Sequence, residues 1–157
     1  MNTQIRQFIV ALNDNYNGKP WHGRSIRSLL GEVTPEIGLK KPNPASHSIA
    51  ELIYHMANWR DFTITRIKPE EGKDSKYFDV NDWRTLDLTS FQTWELGLQL
   101  LEESQRRLIS ILNETDDSIL SQPVGERKYN FHYLLSGLLQ HDVYHTGQIA
   151  YAMKLLS

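Results

Sequence analysis

His141 and His145 stand four residues apart in a largely apolar segment of the chain. On a helix, that spacing stacks both imidazoles on one face with Cβ atoms roughly 6 Å apart, close enough to share one metal ion. Spacing alone is a weak signal, because six histidines in 157 residues make about 0.2 such pairs by chance. Position strengthens it. Leu134, Leu138, His141, His145, Gln148, Ala152 and Leu155 follow one another in alternating steps of four and three, the inward stripe of a packed helix. Two imidazoles and an amide replace leucines on that stripe. A buried polar group without a partner costs about 1–3 kcal/mol, so three neighbours need something to satisfy them. Core histidines bonded to one another or to backbone carbonyls are one answer, and a cation among them is the other. The zinc-protease version of the motif is disfavoured: Asp142 and Val143 follow His141 where that motif has its glutamate, and Asp142 projects about 100° round the helix.

A third ligand is expected from a facing helix. Ile49, Leu52, Ile53 and Met56 mark a core stripe, and His55 falls beside it on the flank shared with Trp59 and Phe62. His55, His141 and His145 together make a three-imidazole set with an open coordination position, the pattern of a catalytic rather than a closed structural metal site. Neutral ligands leave the ion's charge undiminished, which suits a Lewis acid that activates water or a small thiol. Protons should compete for the same nitrogens below the ordinary imidazole pKa of about 6.5. Gln148 is placed to orient a histidine or bond a ligand, Trp59 to wall a pocket, and Trp21 to form part of a lid. His22, His47 and His132 read as loop or surface residues. No residue reads as a clear general base, since Glu51 is expected to be engaged in a helix cap.

Four amphipathic helices are needed to position these groups. The patterns predict them over about Thr3–Tyr16, with Ile5, Phe8, Ile9 and Leu12 on one face; Ser48–Ile67, opened by the capping box Ser48-Ile49-Ala50-Glu51; Ser90–Asn113, with Phe91, Trp94, Leu98, Leu101, Leu108 and Leu112 inward; and Asn130–Leu156. A short helix is expected near Arg24–Leu30, and Tyr129-Asn130-Phe131 reads as an extended lead-in. The connections Asn17–His47 and Lys68–Thr89 are long, which is uncommon unless they cover something. Residues 1–157 are expected to form a single all-α domain, a four-helix bundle with long crossover connections.

Composition narrows the function classes. A net charge of −2 offers no broad positive field, so nucleic acid is not an expected partner. The absence of cysteine removes disulfides, thiolate ligands and cysteine nucleophiles. No run reaches the roughly 18 apolar residues of a membrane span, and Met1 leads into polar residues rather than a signal peptide. A cytoplasmic protein with no membrane association is expected.

At its histidines the sequence resembles the DinB-like superfamily of helical-bundle metalloproteins. The matching pieces are Ser48-Ile49-Ala50-Glu51-Leu52-Ile53-Tyr54-His55-Met56-Ala57-Asn58-Trp59 and His141-Asp142-Val143-Tyr144-His145-Thr146-Gly147-Gln148-Ile149. Trp21, followed by Ser25-Ile26-Arg27-Ser28-Leu29-Leu30, is similar to the family's early tryptophan and amphipathic turn. The resemblance implies an up-down-down-up bundle, often a homodimer, with zinc, nickel or a similar divalent ion on the three histidines. It also implies relatives that include thiol transferases using a low-molecular-weight thiol, thiol-dependent isomerases and members with no assigned reaction. Three readings therefore stand at this point: a metal-dependent transferase or hydrolase acting on a small molecule, a non-catalytic metal or small-molecule binding protein, and a structural helical oligomer with buried polar histidines.

Overall fold

Ser48 closes a capping box in the structure: its hydroxyl accepts from the Glu51 backbone N–H at 3.1 Å, and the Glu51 carboxylate accepts from the Ser48 N–H at 2.7 Å. In this computed structural model, which describes residues 2–157, the box opens α4 (Ile49–Ile67), one of four long helices. The others are α1 (Thr3–Asn17), α6 (Phe91–Asn113) and α7 (Phe131–Leu156), the last capped by Asn130 accepting from the Tyr133 N–H. Three further α-helices lie in the connections: α2 (Ile26–Leu30), α3 (Pro35–Leu39) and α5 (Ser75–Asn81). A 3-10 turn spans Asp117–Ser121. No strand forms among the described residues. A single antiparallel bridge between Pro123 and Asn130 ties down the extended lead-in to α7.

The fold is all-α. Helix α4 packs against both α6 and α7, and α1 packs against the same two helices from the other side. Contacts between α4 and α6 ascend both helices together. The Tyr54 hydroxyl donates to the Thr93 carbonyl, and six residues further along α4 and twelve further along α6, Arg60 donates to Gln105. Where α4 and α6 approach, a side chain at Gly97 would place its Cβ 2.7 Å from the Tyr54 ring, so only glycine fits. Because it lies between two neighbours, α4 is buried nearly all round, with Ile49, Ile53, Met56 and Phe62 all at 1% exposure or less. The amphipathic face expected for it was too narrow. Two expected inward residues also turn outward: Phe91 and Leu155 are 55% and 54% exposed, because each stands in an end turn beyond the reach of a packing partner.

A charged layer divides the core. One apolar cluster holds Tyr16, Ile49, Ile53, Trp94, Leu101 and Ile149; another holds Ile5, Leu12, Ile64, Leu108, Leu112 and Leu138. Between them Arg60 and Asp142, both fully buried, pair at 2.8 Å, and Arg60 also donates to Gln105 Oε1 at 3.0 Å and to the Met56 carbonyl. No described helix is long and apolar enough to cross a membrane.

Candidate metal centre

One turn above this charged layer, α4 and α7 bring three imidazoles together. His141 Nε2 lies 2.9 Å from His55 Nε2 and 3.0 Å from His145 Nε2. The three ligand atoms all fall within 4.8 Å of one another, a group that could hold a metal ion. His55 and His145 are buried and His141 is half-buried.

Neighbouring residues fix which nitrogens face the centre. His145 Nδ1–H donates to Gln148 Oε1 at 2.6 Å. His55 Nδ1–H donates to the backbone carbonyl of Asp82 at 3.3 Å, and an oxygen of the Asp82 carboxylate approaches the same nitrogen to 2.8 Å. With protons on both Nδ1 atoms, the Nε2 lone pairs of His55 and His145 must point inward. His141 can offer one N–H to only one of them, and its Nδ1 is buried without a partner. Three inward nitrogens share at most one proton, so a divalent cation satisfies the set better than any tautomer does. The donor chemistry fits: three neutral imidazoles, each of the two outer ones held by an acceptor behind it.

The surroundings keep the imidazoles neutral. Burial lowers the pKa of His141 to about 3, assisted by His145, His55 and the Arg60 guanidinium. Burial lowers His145 to about 4, against the opposing effect of the hydrogen bond it donates to Gln148. His55 is also lowered by burial, although Asp82 pulls the other way. The neutral form is the one that binds metal.

Trp59 meets His141 edge-on with ring centres 6.1 Å apart. Gln148 lies behind His145, as described. Trp21 does not join them. It is fully exposed in the first connection, and no hydrogen bond or ring contact among the described residues links it to the triad, so the expected lid is not formed by this residue. The connection after α4 does the covering instead. Trp83 stacks on His55 with ring centres 3.8 Å apart and planes within 10°, and His47 stacks on its other face at 3.8 Å. Asp82 and Trp83 were not singled out by the sequence. The available signal was the length and aromatic content of that connection, which announced a cover without saying which residue would provide it. Among the remaining polar residues, Glu51 is held by its cap and by Lys41 at 2.9 Å, Asp142 by Arg60, and His132 packs on Phe8 away from the centre.

The family profile of the DinB superfamily matches residues 21–149, more than three quarters of the chain. The chain belongs to the DinB superfamily. Neither the curated proteins nor the solved structures give a significant match.

Proposed function

We propose that this chain is a metalloprotein that binds one divalent ion, zinc or nickel, on His55, His141 and His145. We further propose that it works as a metal-dependent transferase or hydrolase on a small molecule. The observation that carries the reading is the convergence of three Nε2 atoms, with the outer nitrogens of His145 and His55 tied back by Gln148 and Asp82. A divalent ion held there supplies Lewis acidity, which makes a small thiol or a water nucleophilic near neutral pH. The chain's own groups do the rest. Gln148 and Asp82 hold the ligand rings in orientation. Trp83 shields the His55 side from water, and Trp59 borders the side on which His141 is half-buried. In the transferase form, a low-molecular-weight thiol is the co-substrate.

The geometry supports an up-down-down-up arrangement of α1, α4, α6 and α7: residue pairs between α4 and α6 ascend together, whereas His55 meets His145 and Arg60 meets Asp142 in opposite order. A single domain fits the continuous packing of the four helices. A homodimer is proposed on the resemblance to the DinB superfamily. A cytoplasmic protein without nucleic-acid or membrane partners fits the balanced charge. Glu51 and Asp142 are engaged elsewhere and the Asp82 carboxylate lies behind His55, on its Nδ1 side, which favours a second reading, a metal or small-molecule binding protein without catalysis.

Metal content of untagged protein, measured before and after His145→Ala, tests the centre. One equivalent in the native chain and a loss in the variant is the expected result, and equal trace amounts in both would leave only structural histidines. Turnover of electrophile and thiol panels above that of the free ion separates enzyme from binding protein.

A further inference from the structure

Beside His141 a cleft of about 190 Å³ opens between α4, the extended lead-in and the first turns of α7. Trp59, Leu134 and Leu138 form its apolar wall, and Tyr129 and Tyr133, ring centres 5.2 Å apart, edge it. His141 closes its inner end. No charged side chain lines it. The larger cavities differ: those of 740, 480 and 220 Å³ carry charged side chains, among them Arg24, Arg6 and Asp61, and the one of 320 Å³ past Gln148 is bordered by His47, Asn43 and Ser46.

Size and lining select an occupant. The cleft is well below the roughly 300 Å³ at which sites for drug-sized ligands begin, and close to the ~150 Å³ of an apolar cavity that takes up benzene. A charged group entering it would lose hydration and find no counter-ion. A flat ring would find the Trp59 indole at its side and the Tyr129 and Tyr133 rings at its edge. Gly137 leaves the space open: a Cβ built there meets no atom within 4 Å.

We infer that this cleft is a binding site for an uncharged, flat apolar group of about the size of one benzene ring, seated against Trp59 and directed at His141. It marks the substrate of the proposed metal centre as a small neutral aromatic or similarly flat molecule. The assignment to a substrate rests on the metal-centre reading, while occupancy of the cleft does not.

The test uses metal-free full-length protein with three probes of one size: benzyl alcohol, benzoate and benzylammonium. Binding is followed by chemical-shift changes of the tryptophan indole N–H signals. Benzyl alcohol should move the Trp59 signal saturably and leave that of Trp21 in place, and it should bind at least ten-fold more tightly than either ion. Gly137→Leu fills the space while raising helix propensity, and should weaken benzyl alcohol at least ten-fold with helicity and metal uptake retained. Equal affinity for the three probes, a shift of Trp21 alone, or no shift at Trp59 would overturn the inference. So would undiminished binding in a folded Gly137→Leu protein. Should that variant fail to fold, the Trp59 shift and the probe ranking in the native chain decide the matter. Metal uptake is measured separately, so a chain that takes the ring but no metal would leave the cleft standing and remove the Lewis-acid reading.

Discussion

The imidazole of His55 and the indole of Trp83 lie face to face, ring centres 3.8 Å apart. Trp83 is also 6.2 Å from His145, edge to face. One tryptophan therefore touches two of the three candidate ligands from outside the ligand set, and an ion at the centre would sit within a few ångströms of its ring.

That contact provides an optical readout. Nickel or cobalt added to metal-free protein should quench tryptophan fluorescence with one-site stoichiometry. Of the four tryptophans, Trp83 and then Trp59 should account for most of the loss. Trp83→Phe should remove at least half of the quench, while Trp21→Phe, altering a fully exposed ring, should leave the fractional quench of the remaining residues intact. A quench that survives Trp83→Phe undiminished would place the ion elsewhere.

The two groups behind the ligands should contribute unequally. Gln148 Oε1 is the acceptor for His145 Nδ1–H, so Gln148→Ala leaves that ring free to turn and is expected to lower metal affinity about 10–100-fold. Asp82→Ala removes only the carboxylate, because the hydrogen bond from His55 goes to the Asp82 backbone carbonyl; a loss of about ten-fold is expected. Competition against a chromophoric chelator gives both numbers. A larger effect at Asp82 than at Gln148 would mean that charge, not ring orientation, governs the site.

Much of this arrangement can be seen in the order of residues. The four long helices, the Ser48–Glu51 box and the Asn130 cap follow from apolar spacing and capping chemistry, which act within a few turns. The three histidines stand out because they interrupt such a pattern. The short helices α3 and α5 span five and seven residues, too few for periodicity to register, although Thr34 before Pro35 and Asp74 before Ser75 are good caps. Asp82 reaches His55 across 27 residues, and nothing local to Asp82 marks it. Trp21 misled for the same reason: an aromatic residue in a long connection declares apolar area without declaring where it packs. Arg60 reads as an ordinary helix charge, and only the partner on α7 shows that it is buried.

The acid sensitivity of the metal-free protein follows from the lowered histidines. In the unfolded chain imidazoles titrate near 6.5, whereas burial holds His141 at about 3 and His145 at about 4 in the folded state. Below 6.5 the unfolded chain binds protons that the folded chain does not. Stability is therefore complete above about pH 6.5, is lost progressively as pH falls toward 4, and levels off below the folded values. The same lowering moves proton competition with a metal: retention should persist below the free-imidazole value rather than collapse at it. Urea unfolding of metal-free protein at pH 8, 6, 5 and 4 should show this decline, and His141→Gln should flatten it. Parallel profiles for the native chain and the variant would show that His141 is not a buried neutral histidine.

The Arg60–Asp142 pair should separate stability from metal binding. Both side chains are fully buried, and Arg60 has three acceptors around it: Asp142, Gln105 and the Met56 carbonyl. Removing one partner strands a charge in the core, so Asp142→Ala and Arg60→Met are each expected to destabilise by about 3–5 kcal/mol. Replacing both with apolar residues of similar volume, Arg60→Met with Asp142→Leu, should recover most of that loss, because the cost of burying two charges is removed together with their attraction. Yet the pair also fixes the register of α4 against α7, five residues beyond His55 on one helix and next to His141 on the other. An apolar contact lets two helices slide where an ion pair does not. The double variant should therefore unfold close to the native chain in denaturant but bind metal about ten-fold more weakly, by loosening the His55–His141 approach of 2.9 Å. Native metal affinity in a restored double variant would show that apolar packing alone sets the register, and a double variant as unstable as the single ones would show that the pair is a net source of stability.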